Sequence, residues 1–157
     1  MKLCIRQKVF SWLDHFTVTD ENGRSLYQVK GELALGKRLR VLDISGRELA
    51  LIEQKIISFL PRYVITPAGG SPFTVVKKFT LFRPSYAIEG TNWSVEGEIW
   101  EHSYRIFCGG RAVASVEKEW FTFGDCYALD IDDPALELTA LTITLVIDCA
   151  MAAAGND

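Results

Sequence analysis

The chain has 157 residues, 48% of them hydrophobic and 24% charged, with a net charge of −3. That is enough for one globular domain with a sizeable core, and the acidic balance excludes a general nucleic-acid binder, which carries a basic surplus. Cys4, Cys108, Cys126 and Cys149 form no C-x-x-C pair, and His15 and His102 stand far apart, so neither a metal nor a cofactor is expected.

The opening "MKLCIRQKVFSW" breaks its apolar residues with Lys2, Arg6 and Lys8. It lacks the continuous apolar run of a signal peptide, which predicts a cytoplasmic protein with free thiols. A first strand is expected from about Leu3 to Phe10. Five strand–turn–strand units follow. "HFTVTDENGRSLYQVKG" turns at Asn22-Gly23, "LRVLDISGRELALIEQ" at Ser45-Gly46, and "RYVITPAGGSPFTVVKK" at Gly69-Gly70. "YAIEGTNWSVEGEI" turns between Gly90 and Asn92, and "YRIFCGGRAVASVEKE" at Gly109-Gly110. Glycine supplies the positive φ that tight hairpin turns require. "FLP" at Phe59–Pro61 and "FRP" at Phe82–Pro84 read as connections between hairpins, and a last strand is expected over Asp125–Ile131. That makes about twelve strands over residues 2–131, too many for a flat sheet, which must curl, close or split.

The alternation stops after Ile131. Asp133 suits a helix cap, Pro134 the first helical position, Glu137 the positive end of the dipole, and Gly155 the stop. The β-branched residues from Thr139 to Ile147 favour a strand, but some twenty residues without a turn signal favour a helix, over about 134–154. Only ten uncharged residues, Leu138 to Ile147, separate Glu137 from Asp148, which argues against a membrane span and against an integral membrane protein. A helix apolar all round must be covered all round. A barrel of about twelve strands measures roughly 24 Å across at the backbone and has room for one helix. The expected fold is therefore a single all-β domain over residues 1–157, a closed antiparallel barrel around a buried hydrophobic C-terminal helix.

The chain resembles the bacterial, YxjI-like members of the LURP-one-related family. The matching stretches are "IRQKVFSW", "FTVTDENGRSLYQVKG", "LRVLDISGRELALIEQK", "ISFLPRYVI", "VVKKFTLFRPSYAIEG", "EKEWFTFGDCYALDI" and "LVIDCA". The resemblance implies a twelve-stranded barrel with a central helix, the fold of the tubby C-terminal domain and the phospholipid scramblases. It implies no catalytic motif for any residue here.

Charge is unevenly distributed. Residues 1–83 hold 14 Lys+Arg against 7 Asp+Glu, a balance of +7, and residues 84–157 hold 3 against 13, a balance of −10. Lys37, Arg38, Arg40, Lys77, Lys78 and Arg83 are the candidates for binding an anionic lipid headgroup or a phosphorylated ligand. The plainer alternative is a solvated surface whose two halves attract each other. Adjacent strand residues face opposite ways, so Lys77-Lys78 calls for a bulge or a strand end. Cys108 and His102 lack the third group of a nucleophilic triad, and His15 reads as a surface residue. Trp12, Trp93, Trp100 and Trp120 read as barrel core, with "EKEWFTFGDCY" sealing the barrel. Asp148 lies about 21 Å along the helix from Pro134. It reads as a solvated residue at the barrel mouth, or as a buried carboxylate bonded to backbone N–H groups. The favoured function is non-catalytic binding or scaffolding, with an anionic lipid or another protein as partner. The alternatives are an enzyme with its pocket at the barrel mouth and a purely structural or oligomeric protein.

Overall fold

The computed structural model describes residues 1–6, 15–78, 80–81, 83–121 and 124–153. Twelve strands appear in the described residues: β1 (Lys2–Arg6), β2 (His15–Asp20), β3 (Ser25–Ala34), β4 (Gly36–Asp43), β5 (Glu48–Lys55), β6 (Arg62–Pro67), β7 (Phe73–Lys78), β8 (Ser85–Glu89), β9 (Trp93–Glu98), β10 (Ser103–Cys108), β11 (Arg111–Phe121) and β12 (Gly124–Ile131). A 3₁₀ turn at Pro134–Leu136 leads into one helix, α1 (Glu137–Ala153). The first strand is described only to Arg6, and the expected extension to Phe10 and the stop at Gly155 lie outside the described residues.

Each strand pairs antiparallel with its sequence neighbours, with one exception. β8 and β9 share no ladder, and the sheet continues instead from β12 onto β1, with Cys4 opposite Ala128 and Arg6 opposite Cys126. The two free edges meet at a seam crossed by an Arg83–Glu98 ion pair at 3.1 Å, and the barrel is nearly closed. The chain does turn at Gly90–Asn92, as its glycine suggests, but no hairpin ladder follows. Trp93 registers with Cys108 on β10, and the Asn92 carbonyl accepts from Gly109 N–H at 2.9 Å, so this turn leans on the next hairpin. The first two glycine turns share one construction. Asp20 accepts the N–H groups of Asn22 and Arg24, and Asp43 those of Ser45 and Arg47, at 2.9–3.0 Å. Gly23 and Gly46 then take φ of +83° and +91°, which a side chain resists.

Alternate strand residues fill the interior. Val29, Val41, Ile52, Ile65, Val75, Ile106, Val116 and Leu129 face in and are fully buried. Against them lies α1, whose Leu141, Ile143, Leu145, Val146 and Ile147 are inaccessible on every side of the helix. Each such side chain contributes about 1.5–3 kcal/mol on leaving water. From Pro134 to Ala152 the mean hydropathy is 1.7, long and apolar enough to cross a bilayer, yet here the barrel is its solvent. Asp133 caps the segment by accepting Ala135 N–H at 2.9 Å, and Tyr27 of β3 donates its hydroxyl to Glu137. The threonines inside the helix return their hydroxyls to its own carbonyls, Thr142 to Thr139 and Thr144 to Ala140, at 2.8 and 2.9 Å. Those bonds let polar β-branched residues sit in a dry helix.

A meander of this kind sends successive links to alternate ends. The glycine turns 21–24, 44–47, 68–72, 90–92 and 109–110 all fall at one end, where α1 enters. The links β3–β4, β5–β6, β7–β8, β9–β10 and β11–β12 all fall at the other, where α1 ends.

Candidate functional site

The two ends differ chemically. At the glycine end the turns carry Glu21, Glu89, Asp132 and Asp133 against Arg24, Arg47 and Arg111. At the other end the links expose large apolar side chains. Leu35 caps the tight β3–β4 turn. The β5–β6 link presents Ile56, Ile57 and Phe59, the last two 95% and 98% exposed. Leu81 stands out from the β7–β8 link and Trp100 from the 3₁₀ turn at Ile99–Glu101. Trp120, near the end of β11, is 77% exposed. Among the described residues, only Met1 and Ile44 are large, apolar and exposed elsewhere. The local reason is plain: all but Trp120 lie in links, where no alternation turns them inward, and Trp120 shares the face of Val116 but lies beyond the core at the end of β11. The expectation that Trp100 and Trp120 belong to the core, with Trp120 sealing the barrel, is therefore corrected. Trp93 does pack partly against the core, and Trp12 and Phe82 lie outside the described residues.

Two hollows open on this rim. One of about 380 Å³ lies between the β3–β4 turn and the β5–β6 link, with Leu35, Lys37, Lys55 and Ile57 in its walls. The other, about 270 Å³, lies beside the seam between Arg83, Glu98 and Trp100.

The six predicted basic residues do not form one patch. Register places Arg38 opposite Glu32 on β3 and Glu53 on β5, and Arg38 binds both carboxylates at 3.2 and 3.3 Å. Arg40 is tied to Glu32 and Glu48, and these pairs draw the Glu32 carboxyl below its usual range. Arg83 is tied to Glu98. Lys37 shares the inward face of β4 with Leu39 and Val41, opposite to Arg38 and Arg40, and its charge reaches Cys149 near the end of α1. Lys77 and Lys78 end β7 without a bulge, Lys77 on the face of Val75 at the mouth and Lys78 exposed. Neither they nor Lys55 meets a carboxylate among the described residues. Attraction between the two halves of the chain is also real, through Lys2–Glu119, Arg62–Glu89 and Arg83–Glu98.

Beneath the rim lies a polar cluster that the sequence did not announce. Asp148 is not solvated at an exit: it is 4% exposed, and neither carboxylate oxygen has a hydrogen-bond partner among the described residues. The backbone N–H lock is likewise not made. Its neighbour is His102, whose Nδ1 stands 3.4 Å from Oδ1, within ion-pair reach but without hydrogen-bond geometry. His102 has φ +54°, an uncommon left-handed conformation for a side-chain-bearing residue, and stacks on Tyr127 at 4.2 Å. Burial raises the Asp148 carboxyl above its usual range, and His102 offsets this only in part. Among the described residues the buried Tyr86 hydroxyl has no hydrogen-bond partner and that of Tyr104 has only Thr144 near it, and burial and then the Asp148 charge push both phenols up. Cys108 and His102 are not brought together: His102 immediately precedes β10 and Cys108 ends it, roughly 20 Å apart along the strand. Cys108 donates instead to Asn92 at 3.6 Å. His15 is exposed at the start of β2.

Sequence reasoning missed the shared rim, although its signal was there. "ISFLP" and "FTLFRP" place apolar residues in links, and counting turns along a meander puts both links at one end.

A family model described as LURP-one-related matches residues 1–148. The uncharacterized protein YxjI of Bacillus subtilis (strain 168) is 36% identical over 148 residues, which cover 92% of this chain and 91% of that one. The crystal structure of an Arabidopsis thaliana protein matches with a TM-score of 0.59 at 19% identity, over 94% of this chain and 89% of that chain, a likeness of fold.

Proposed function

The chain belongs to the LURP-one-related family, and on that premise we propose that it is a non-catalytic binding domain whose working surface is the link-bearing rim. The observation that carries the reading is the difference between the two ends. One has acidic, glycine-built turns, and the other gathers exposed apolar side chains with Lys55, Lys77 and Lys78 beside them. Such a rim suits a ligand that offers negative charge, with phosphate as the shared chemistry of a lipid headgroup or a soluble phosphorylated ligand. In a cytoplasmic protein the lipid source is the inner leaflet, where anionic lipids lie.

The test compares the wild type with a Lys55→Glu, Lys78→Glu double variant at low salt. The probes are phosphatidylserine-containing vesicles in one arm and glycerol phosphate in solution in the other. Binding in either arm that weakens in the variant supports the reading and identifies the source. Absence of binding in both arms, or binding indifferent to the double reversal, refutes it.

A second reading has one observation in its favour. Asp148, Tyr86 and Tyr104 are buried titratable groups, with Asp148 beside the partly buried His102 and its charge reaching both phenols, as in many active sites. On that reading the barrel mouth would admit a small substrate to them.

A further inference from the structure

We infer that the partner at this rim is an anionic lipid bilayer, penetrated by the link tips themselves. The inference rests on the reading that the rim is the working surface, and it names the partner.

Shape is the first argument. Leu35, Ile57, Phe59, Leu81 and Trp100 sit on four successive links around one end of the barrel. They make an arc of separate tips around a mouth roughly 24 Å across. A peptide or a helix would call for one continuous trough. Leu35 and Ile57 wall one hollow and Trp100 lies at another, so no single trough joins the tips, and a fluid medium can close around them. Trp100 adds an amphipathic ring of the kind that settles at a headgroup boundary.

Charge is the second. Lys55 immediately precedes Ile56 and Ile57, and Lys78 lies three residues before Leu81. A cation one step behind an apolar tip is placed to meet headgroup phosphates when the tip enters the acyl boundary. Glu98 is neutralised by Arg83, and Glu101 is the one carboxylate in the described parts of these links. At the opposite end Glu89 is paired with Arg62 and Arg47 with Asp43, and Glu21, Asp132 and Asp133 outnumber Arg24 and Arg111, so that end offers an anionic surface no net attraction. The domain thus has one orientation in which it meets an anionic bilayer, with the end of α1 toward the lipid.

The experiment is co-sedimentation with phosphatidylcholine vesicles, with and without phosphatidylserine, at low and high salt. It compares the wild type, a Phe59→Ser, Trp100→Ser double variant and an Ile44→Ser control at the opposite end. The two rim side chains are largely exposed, so the double variant keeps its fold, which circular dichroism checks. The expected result is binding to the anionic vesicles that survives partly at high salt, a loss of about tenfold or more in the rim variant, and no change in the control. Wild-type tryptophan fluorescence should also be quenched by brominated phosphatidylcholine. Binding that high salt abolishes and the rim variant retains leaves the anionic-surface reading standing and overturns penetration. Absence of vesicle binding overturns penetration too, and binding of glycerol phosphate would then rescue the broader reading alone. A wild-type dimer that the rim variant dissolves, without vesicle binding, assigns the rim to a second copy of the chain and overturns the proposal.

Discussion

Replacing Asp148 by asparagine should stabilise the protein, by an amount that grows with pH. The carboxylate is buried, has no hydrogen-bond partner among the described residues, and has only His102 nearby to offset its charge. Because burial raises its folded-state pKa above the unfolded value, the folded state holds the proton more tightly. Its contribution is fully present below the unfolded pKa and is lost as pH rises through the folded one, at no more than about 1.4 kcal/mol per pH unit. Asparagine keeps the shape and removes the charge. The amide is still unpartnered, so the gain is only the excess cost of burying a charge over a neutral polar group, on the order of 1–3 kcal/mol. In a domain of this size that is a gain of about 3–10 °C in Tm at pH 8, shrinking towards zero in acid. Urea denaturation of both proteins from pH 5 to pH 8, followed by circular dichroism, measures the difference directly. Glu32 and Asp43 are shifted the opposite way, by Arg40 and by Ser45, but they act equally in both proteins and cancel. Leucine should be tolerated for the same reason as asparagine, and alanine should cost more through the cavity it leaves. A variant less stable than the wild type by the same amount at every pH would refute the reasoning, because the carboxylate would then be a stabilising partner.

Gly97 has φ +136°, and an added Cβ would lie 2.7 Å from Tyr104 Cα and 2.8 Å from Ser103 O, backbone atoms that cannot turn aside. Gly97→Ala should therefore lower stability by about 2–4 kcal/mol, and a melting temperature equal to wild type would contradict the close approach of β9 and β10. The cysteines should divide on labelling with iodoacetamide. Cys108 is part-exposed and should react in the native protein, whereas Cys4, Cys126 and Cys149 are buried and should react only in denaturant. The Cys126 thiol is further disarmed, pushed up to about 12 by burial first and then by Cys4. Mass spectrometry that finds Cys126 labelled before Cys108 would contradict this burial.

The barrel and its plug were legible because they rest on local rules. Glycine turns mark the strands, alternation marks the inward face, and a segment apolar on every side has to be enclosed. The Gly90–Asn92 turn read as a hairpin because a turn sequence reports the reversal of the chain and not the ladder beside it. The basic residues misled for a related reason. Arg38 and Arg40 look available in sequence, but cross-strand register sets Glu32 and Glu53 opposite Arg38. Asp148 was misplaced because a helix without a polar face gives no direction. A rise of about 21 Å was enough to suggest the mouth, yet Asp148 is buried there beside His102, which immediately precedes β10. Trp100 and Trp120 were assigned inward from strand spacing, but Trp100 lies in a link that obeys no alternation and Trp120 lies beyond the core at the end of β11.

The seam between β8 and β9 has a topological consequence. The sheet is broken between two strands that follow one another in the chain and is joined between β1 and β12. A cut at Gly90–Asn92 would sever one covalent connection and no ladder, leaving β1–β8 as one piece and β9–β12 with α1 as the other. The β1–β12 ladder would still bind the two pieces, and the helix of the second would still fill the first. The seam is thus the place where this barrel divides into two chains that complement each other, and a reporter made from such halves would signal their meeting by regaining the fold.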